Sequence, residues 1–145
     1  MAARSAGTSL AAALALVAAG LAGPVAAQED GVRLDFAGDR YAAGEAPDLS
    51  GAGARDVFAA GETVRASAPA VGSVHLAGRV VEQDGPVGGD LYAAGWRVRS
   101  AGAVAGDASL AGGTLSVDAP VEGALRAFGR ELTVSAPVGA LLVFA

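Results

Sequence analysis

A 17-residue repeat is the feature of this sequence that most restricts its fold. Residues 56–72 read "DVFAAGETVRASAPAVG", and residues 90–106 read "DLYAAGWRVRSAGAVAG", nearly the same segment two periods later. The glycine that closes the "AAG"-like motif keeps this step at Gly44, Gly61, Gly78, Gly95, Gly112 and Gly129. Self-similarity at a short, fixed step is typical of solenoids, in which each repeat stacks on its neighbour.

Several apolar columns share the same step and predict the core. The first column runs through Val57, Val74, Leu91, Ala108 and Leu125. The second runs through Val64, Val81, Val98, Leu115 and Leu132, and the third through Ala70, Val87, Val104, Val121 and Val138. We therefore predict a core built on Val57, Val64, Val81, Leu91, Val98, Val104, Leu115, Val121, Leu125, Leu132 and Val138. We predict corners formed by the glycines Gly61, Gly78, Gly95, Gly112 and Gly129.

Within one repeat, the side chains alternate as they do in a β-strand. Val57 and Ala59 are apolar in their columns, whereas the column of Phe58 continues with residues of no common chemistry, namely His75, Tyr92, Ser109 and Arg126. Period-two alternation places the first kind of column inside and the second outside. Glycine and proline recur too often for helices. Each repeat is predicted to form three short strands joined by bends.

The predicted fold class is all-β, a single-stranded parallel β-helix (solenoid) with 17-residue coils. Equivalent residues of neighbouring coils then lie about 4.8 Å apart. Residues 56–145 are predicted to form about five coils and to stop inside a coil. Residues 28–55 form an N-terminal segment with a degenerate capping coil, in which "DRYAAGEAP" keeps the motif but Pro47 replaces the inward valine.

The first 27 residues have the layout of a secretory signal peptide. Arg4 gives a positive start, an apolar stretch runs from about Leu10 to Leu21, and small residues lead to a cleavage position after Ala27. An uncleaved membrane anchor is the alternative interpretation. Both predict an exported protein of the periplasm or cell envelope, and the anchor adds membrane association.

Neither the composition nor the arrangement of reactive residues indicates an enzyme. The net charge is −5 without a basic patch, so we predict no nucleic-acid partner, and the absence of cysteine removes thiolate metal ligands. His75 is the one histidine and has no recognisable nucleophile context. We predict no catalytic residue, no cofactor and no metal.

An acidic column leaves several interpretations open. Asp56, Asp90 and Asp107 share it, with Ser73 between the first two. Aspartate is common at turns, so we favour turn capping over a cation site or a pair of glycosidase carboxylates about 5 Å apart.

The repeated segments "DVFAAG", "GDLYAAG" and "VAGD" resemble those of the bactofilin-like, polymer-forming cytoskeletal proteins of bacteria, especially their exported or membrane-associated relatives. The resemblance covers residues 53–145. It implies a right-handed β-helix that forms an end-to-end homopolymer through its terminal coils and acts as a scaffold of the cell envelope. Cell-wall or membrane components are the further partners that it suggests.

The final residues, "GALLVFA", suggest where such association would occur. They stop inside a coil, which indicates either a truncated coding region or an open edge for docking. The predicted self-association edge consists of Leu141, Leu142, Val143 and Phe144. The alternative function is a carbohydrate-binding or carbohydrate-cleaving β-helix that uses the acidic column and the aromatic residues Phe58, His75 and Tyr92, with Trp96 nearby.

Overall fold

The computed structural model describes residues 31–51 and 53–145, so the predicted signal peptide lies outside the described residues. The described part is all-β and contains no helix. Its strands are β1 (Val32–Phe36), β2 (Asp39–Gly44), β3 (Val57–Ala66), β4 (Val74–Gln83), β5 (Leu91–Ser100), β6 (Ala108–Val117), β7 (Val121–Val134) and β8 (Val138–Phe144).

The strands wind into a parallel β-solenoid. From β2 to β8, each strand pairs in parallel with the next one along the chain, and β1 adds to β2 in the antiparallel direction. The step is 17 residues in the central coils, where Val57 pairs with Val74 and Val74 with Leu91. The predicted all-β parallel β-helix with 17-residue coils is therefore confirmed.

Each coil has fewer strands than the sequence suggested. We expected a strand to end at Gly61, but β3 continues through this glycine to Ala66. Pairing with β4 resumes after Gly61 with only Glu62 left out, so the ladder bends without breaking. The third predicted strand is reduced to single bridge residues at Ala54, Ala70, Val87 and Val104, and Val121 lies within β7.

The predicted inward columns lie inside the solenoid over most of its length. Of the predicted core residues, Val57, Val64, Val81, Leu91, Val98, Val104, Leu115, Val121 and Leu125 are buried in one cluster. Leu132 and Val138 pack against this cluster but remain partly exposed. Leu132 is less buried because β8 ends at Phe144, before the position that would cover it.

The core also contains a polar pair that the sequence did not reveal. Gln83 and Ser100 lie in the inward column of Ala66 and Val117, and both are fully buried. The Ser100 hydroxyl donates to Gln83 Oε1 at 2.8 Å, and Gln83 Nε2 donates to the carbonyl oxygens of Gly85 and Gly102. Because each polar atom has a partner, the pair is tolerated in an otherwise apolar interior.

The corner glycines allow successive coils to approach closely. A Cβ atom at Gly95 would lie 2.3 Å from the carbonyl oxygen of Gly78, and one at Gly112 would lie 2.0 Å from that of Gly95. None of the predicted corner glycines has a left-handed φ. Close backbone approach, rather than backbone conformation, is the reason for this column.

The last coil departs from the constant step. A register shift between Val121 and Ala124 makes it one residue shorter, so that Phe144 pairs with Phe128. A constant step would have placed Phe144 over Ala127. The shift turns the Phe144 ring outward, onto the ring of Phe128.

Candidate functional site

The terminal strand β8 is an apolar edge. Leu141, Leu142, Val143 and Phe144 are each between 43% and 53% exposed. Leu141 continues the inward column of Leu125, and Val143 that of Ala127, yet no described residue lies over either of them. A strand whose second edge is unpaired presents backbone N–H and C=O groups together with these side chains, and it can template pairing with another strand. The structure thus brings the four predicted edge residues together on one exposed strand.

The outer column of Phe58 is a ladder of stacked rings. Tyr41 stacks on Phe58 at 5.1 Å between ring centroids, Phe58 on His75 at 4.7 Å, and His75 on Tyr92 at 4.8 Å. The rings are nearly parallel because the register places each residue directly over its equivalent. The faces of Phe58 and His75 are therefore covered by neighbouring rings. The alternative carbohydrate-binding function requires a sugar to stack on a ring face, but Phe58 and His75 offer only their ring edges.

Burial shifts the titration of His75. The ring lies between Phe58 and Tyr92, and desolvation there lowers the pKa of His75, while the charge of Asp56 acts in the opposite direction. His75 thus favours its neutral form in the folded protein.

A groove lies beside the ladder and continues beyond its last ring, Tyr92. Its volume is about 410 Å³. Phe58, His75 and Tyr92 border it, and Phe128 lines it beyond Ser109. An alanine column forms part of its lining, namely Ala60, Ala77, Ala94 and Ala111. None of the residues that line the groove carries a carboxylate or a guanidinium group.

Trp96 does not belong to this groove. It is 58% exposed, and the Arg130 guanidinium lies 4.5 Å from the centroid of its ring. The tryptophan and the aromatic ladder are separate features of the surface.

The acidic column caps backbone groups of the following coil. Asp56 Oδ1 accepts a hydrogen bond from Ser73 N, Asp90 Oδ1 from Asp107 N, and Asp107 Oδ1 from Ala124 N, each at 2.8 Å. The Ala124 N–H and then Arg126 hold the pKa of the Asp107 carboxyl below its usual range. The favoured turn-capping interpretation thus describes this column.

The same carboxylates explain the glycines Gly72, Gly106 and Gly123, which also lie on the 17-residue step. A Cβ atom at Gly106 would lie 2.2 Å from Asp90 Oδ1, and one at Gly123 would lie 2.2 Å from Asp107 Oδ1. Glycine therefore leaves room for each capping side chain. In residues 31–51 and 53–145, no group of three or more histidine, aspartate or glutamate residues is placed to hold a metal ion.

Comparison with known proteins identifies no relative: no family model, no curated protein and no solved structure matches the chain. A search of the described residues for a helix long and apolar enough to cross a membrane finds none.

Proposed function

We propose that this chain is a structural protein that self-associates through β8, as a bactofilin-like scaffold of the bacterial cell envelope. The observation that carries the proposal is the uncovered strand with Leu141, Leu142, Val143 and Phe144 exposed together. The repeat-style resemblance and the predicted signal sequence support an exported location. Cell-wall or membrane components are proposed as further partners, and no enzymatic activity is proposed.

The energetics favour reversible association. Complete burial of a large apolar side chain contributes about 1.5–3 kcal/mol, so burying the two half-exposed inward side chains, Leu141 and Val143, contributes roughly 1.5–3 kcal/mol per copy. Two copies that meet at β8 gain about twice this amount, whereas association costs about 4–15 kcal/mol in lost freedom. Because the two ranges overlap, we expect assembly to depend strongly on protein concentration.

The N-terminal end provides a second, weaker contact for growth into a polymer. The outer edge of β1 has no strand partner among the described residues, but it carries Arg33 and Asp35, which are joined by an ion pair. Charged residues on an edge strand oppose indiscriminate pairing. We therefore expect pairs joined at β8 to form first and longer assemblies to appear at higher concentration.

Sedimentation of the purified chain over a concentration series, with electron microscopy of the heaviest fraction, tests the proposal. Leu142→Arg places a charge on the exposed edge, and we expect it to shift the distribution to monomers without lowering the melting temperature. Val71→Arg is the matched control, since Val71 is 79% exposed and lies outside both terminal strands. Assemblies that persist in Leu142→Arg, or that are lost equally in Val71→Arg, would contradict association through β8.

A further inference from the structure

The aromatic ladder is interrupted at a defined position. Four rings occupy successive coils up to Tyr92, and the register then places Ser109 where the next ring would be. Tyr92 is 44% exposed and lacks a ring on the side of Ser109. A second pair of stacked rings, Phe128 and Phe144, begins two coils beyond Tyr92, in the column of Ala111.

The height of this interruption fits one ring. Two coil steps correspond to about 9.6 Å, so a ring at the level of Ser109 lies about 4.8 Å from the coil of Tyr92 and from that of Phe128. Ring spacings within the ladder are 4.7–5.1 Å. In this column, the face of each stacked ring is therefore covered by a parallel ring from the neighbouring coil.

The lateral arrangement favours a fused pair of rings. Tyr92 and Phe128 belong to columns that are two residues apart along the strand, which is about 6.6 Å. A planar two-ring system reaches both ring faces better than a single ring does. At this level the groove is lined by Ser109 and Ala111, and no charged side chain is among its lining residues.

We propose that the interruption between Tyr92 and Phe128 is a binding site for a small, uncharged, planar bicyclic aromatic molecule. The ligand would stack on Tyr92, lie over Ser109 and contact Phe128, with Arg126, which is paired with Asp107, one coil beyond Ser109 in the same outward column. An apolar lining favours this ligand over a sugar, because a sugar would need polar partners for several hydroxyl groups. Phe144 of the terminal edge stacks on Phe128 of this site, but Leu141, Leu142 and Val143 do not line it, and the proposal does not depend on self-association.

The site is tested by titrating the full chain with indole and measuring binding by saturation-transfer-difference NMR. Ser109→Phe supplies a covalently attached ring at the missing position, and we expect it to weaken indole binding at least about tenfold. It should also raise the melting temperature, so loss of binding cannot be attributed to unfolding. Ser109→Ala is the matched control and should bind indole within about twofold of the original chain.

Further variants separate this site from the terminal edge. Tyr92→Leu should weaken binding to a similar extent as Ser109→Phe, whereas Leu142→Arg should leave the affinity for indole within about twofold. Absence of indole binding to the folded chain, or unchanged binding in Ser109→Phe, would overturn the proposal. Loss of indole binding in Leu142→Arg would assign the contact to the terminal edge and overturn it as well. Binding of methyl glucoside, but not indole, at the same position would overturn it in favour of carbohydrate recognition.

Discussion

At the N-terminal end of the solenoid the first inward column begins with Arg40, whereas at the C-terminal end the same column reaches Leu141. Arg40 is 5% exposed, and Leu141 is 53% exposed. The charged residue is the buried one because β1 pairs beside it, because its Nε donates to Asp35 Oδ1 at 2.8 Å, and because its Nη1 donates to the carbonyl oxygen of Leu49 at 3.5 Å. The comparison shows that exposure at a solenoid end is decided by what covers the last coil, rather than by the polarity of the column.

The polar network at the N-terminal end extends beyond Arg40. Arg33 pairs with both Asp35 and Asp48, and Asp48 accepts hydrogen bonds from the Ser50 hydroxyl and backbone N–H. Burial raises the pKa of Asp35, but the hydrogen bonds and charges of Arg40 and Arg33 outweigh it, so this pKa is lowered. By contrast, β8 contains no charged residue. The N-terminal end is therefore less suited to pairing than the C-terminal end.

The largest expected effect contrasts the middle of the stack with its open end. Val98→Asp introduces a charge at a position that is 1% exposed, and we expect it to lower the free energy of unfolding by about 4 kcal/mol or more. Leu141→Asp, in an inward column of the open coil, should cost less than about 1 kcal/mol, because its carboxylate stays hydrated. Urea denaturation followed by circular dichroism measures both. Equal losses would contradict the difference between the interior and the terminal coil.

Substitutions of two corner glycines compare how much a central coil and a coil near the end tolerate an added Cβ atom. Gly95→Ala forces a Cβ atom against the carbonyl oxygen of Gly78, with β4 and β6 holding the strand on both sides, and we expect a loss of about 3 kcal/mol. Gly129→Ala should cost less, since its Cβ atom would lie 2.6 Å from the carbonyl oxygen of Gly112 and only one described coil follows. Thermal unfolding compares the two variants, with Ala94→Ser as the control on the exposed face. A smaller loss for Gly95→Ala than for Gly129→Ala would refute this explanation.

Replacement of Arg40 tests whether the polar residues at the N-terminal end weaken pairing there. Arg40→Leu removes charge-assisted hydrogen bonds, and we expect a loss of about 2 kcal/mol. It should also increase self-association at high concentration, because the lost hydrogen bond from Arg40 to Asp35 loosens β1, which covers this end of the sheet. Combining it with Leu142→Arg isolates the new contact in sedimentation experiments. A double variant that remains monomeric at every concentration would show that Arg40 does not prevent pairing.

The smallest expected effect concerns the aromatic ladder between the two ends. Since the folded-state pKa of His75 is depressed, the stability associated with its neutral form is present above the unfolded value of 6.5 and is lost as the pH falls through the folded-state pKa. The melting temperature should therefore decrease modestly on acidification below about pH 6.5. His75→Phe removes the titrating group and should abolish this decrease. A pH dependence that is identical in the variant would assign the effect to other groups.

The sequence by itself determined the repeating part of the molecule. A constant 17-residue step specifies which residues become neighbours in adjacent coils, so the inward columns around Val64 and Leu91 and the glycine column through Gly95 were predictable, although the close backbone approach at Gly95 was not. Each coil contacts mainly the coils before and after it, and a one-dimensional pattern therefore carries most of the three-dimensional information. The four edge residues were identified in the same way, since they follow the last complete repeat.

Only the tertiary structure decided the features that break the repeat. The burial of Arg40 depends on its bonds to Asp35 of β1 and to the Leu49 carbonyl, and the burial of Gln83 depends on Ser100 and two carbonyl groups that satisfy it. The shift in the last coil, which places Phe144 on Phe128, requires a local irregularity in the strand after Val121. Periodicity reports which residues are equivalent, but the covering of an end, the satisfaction of a buried polar group and a one-residue slip depend on contacts that differ from coil to coil.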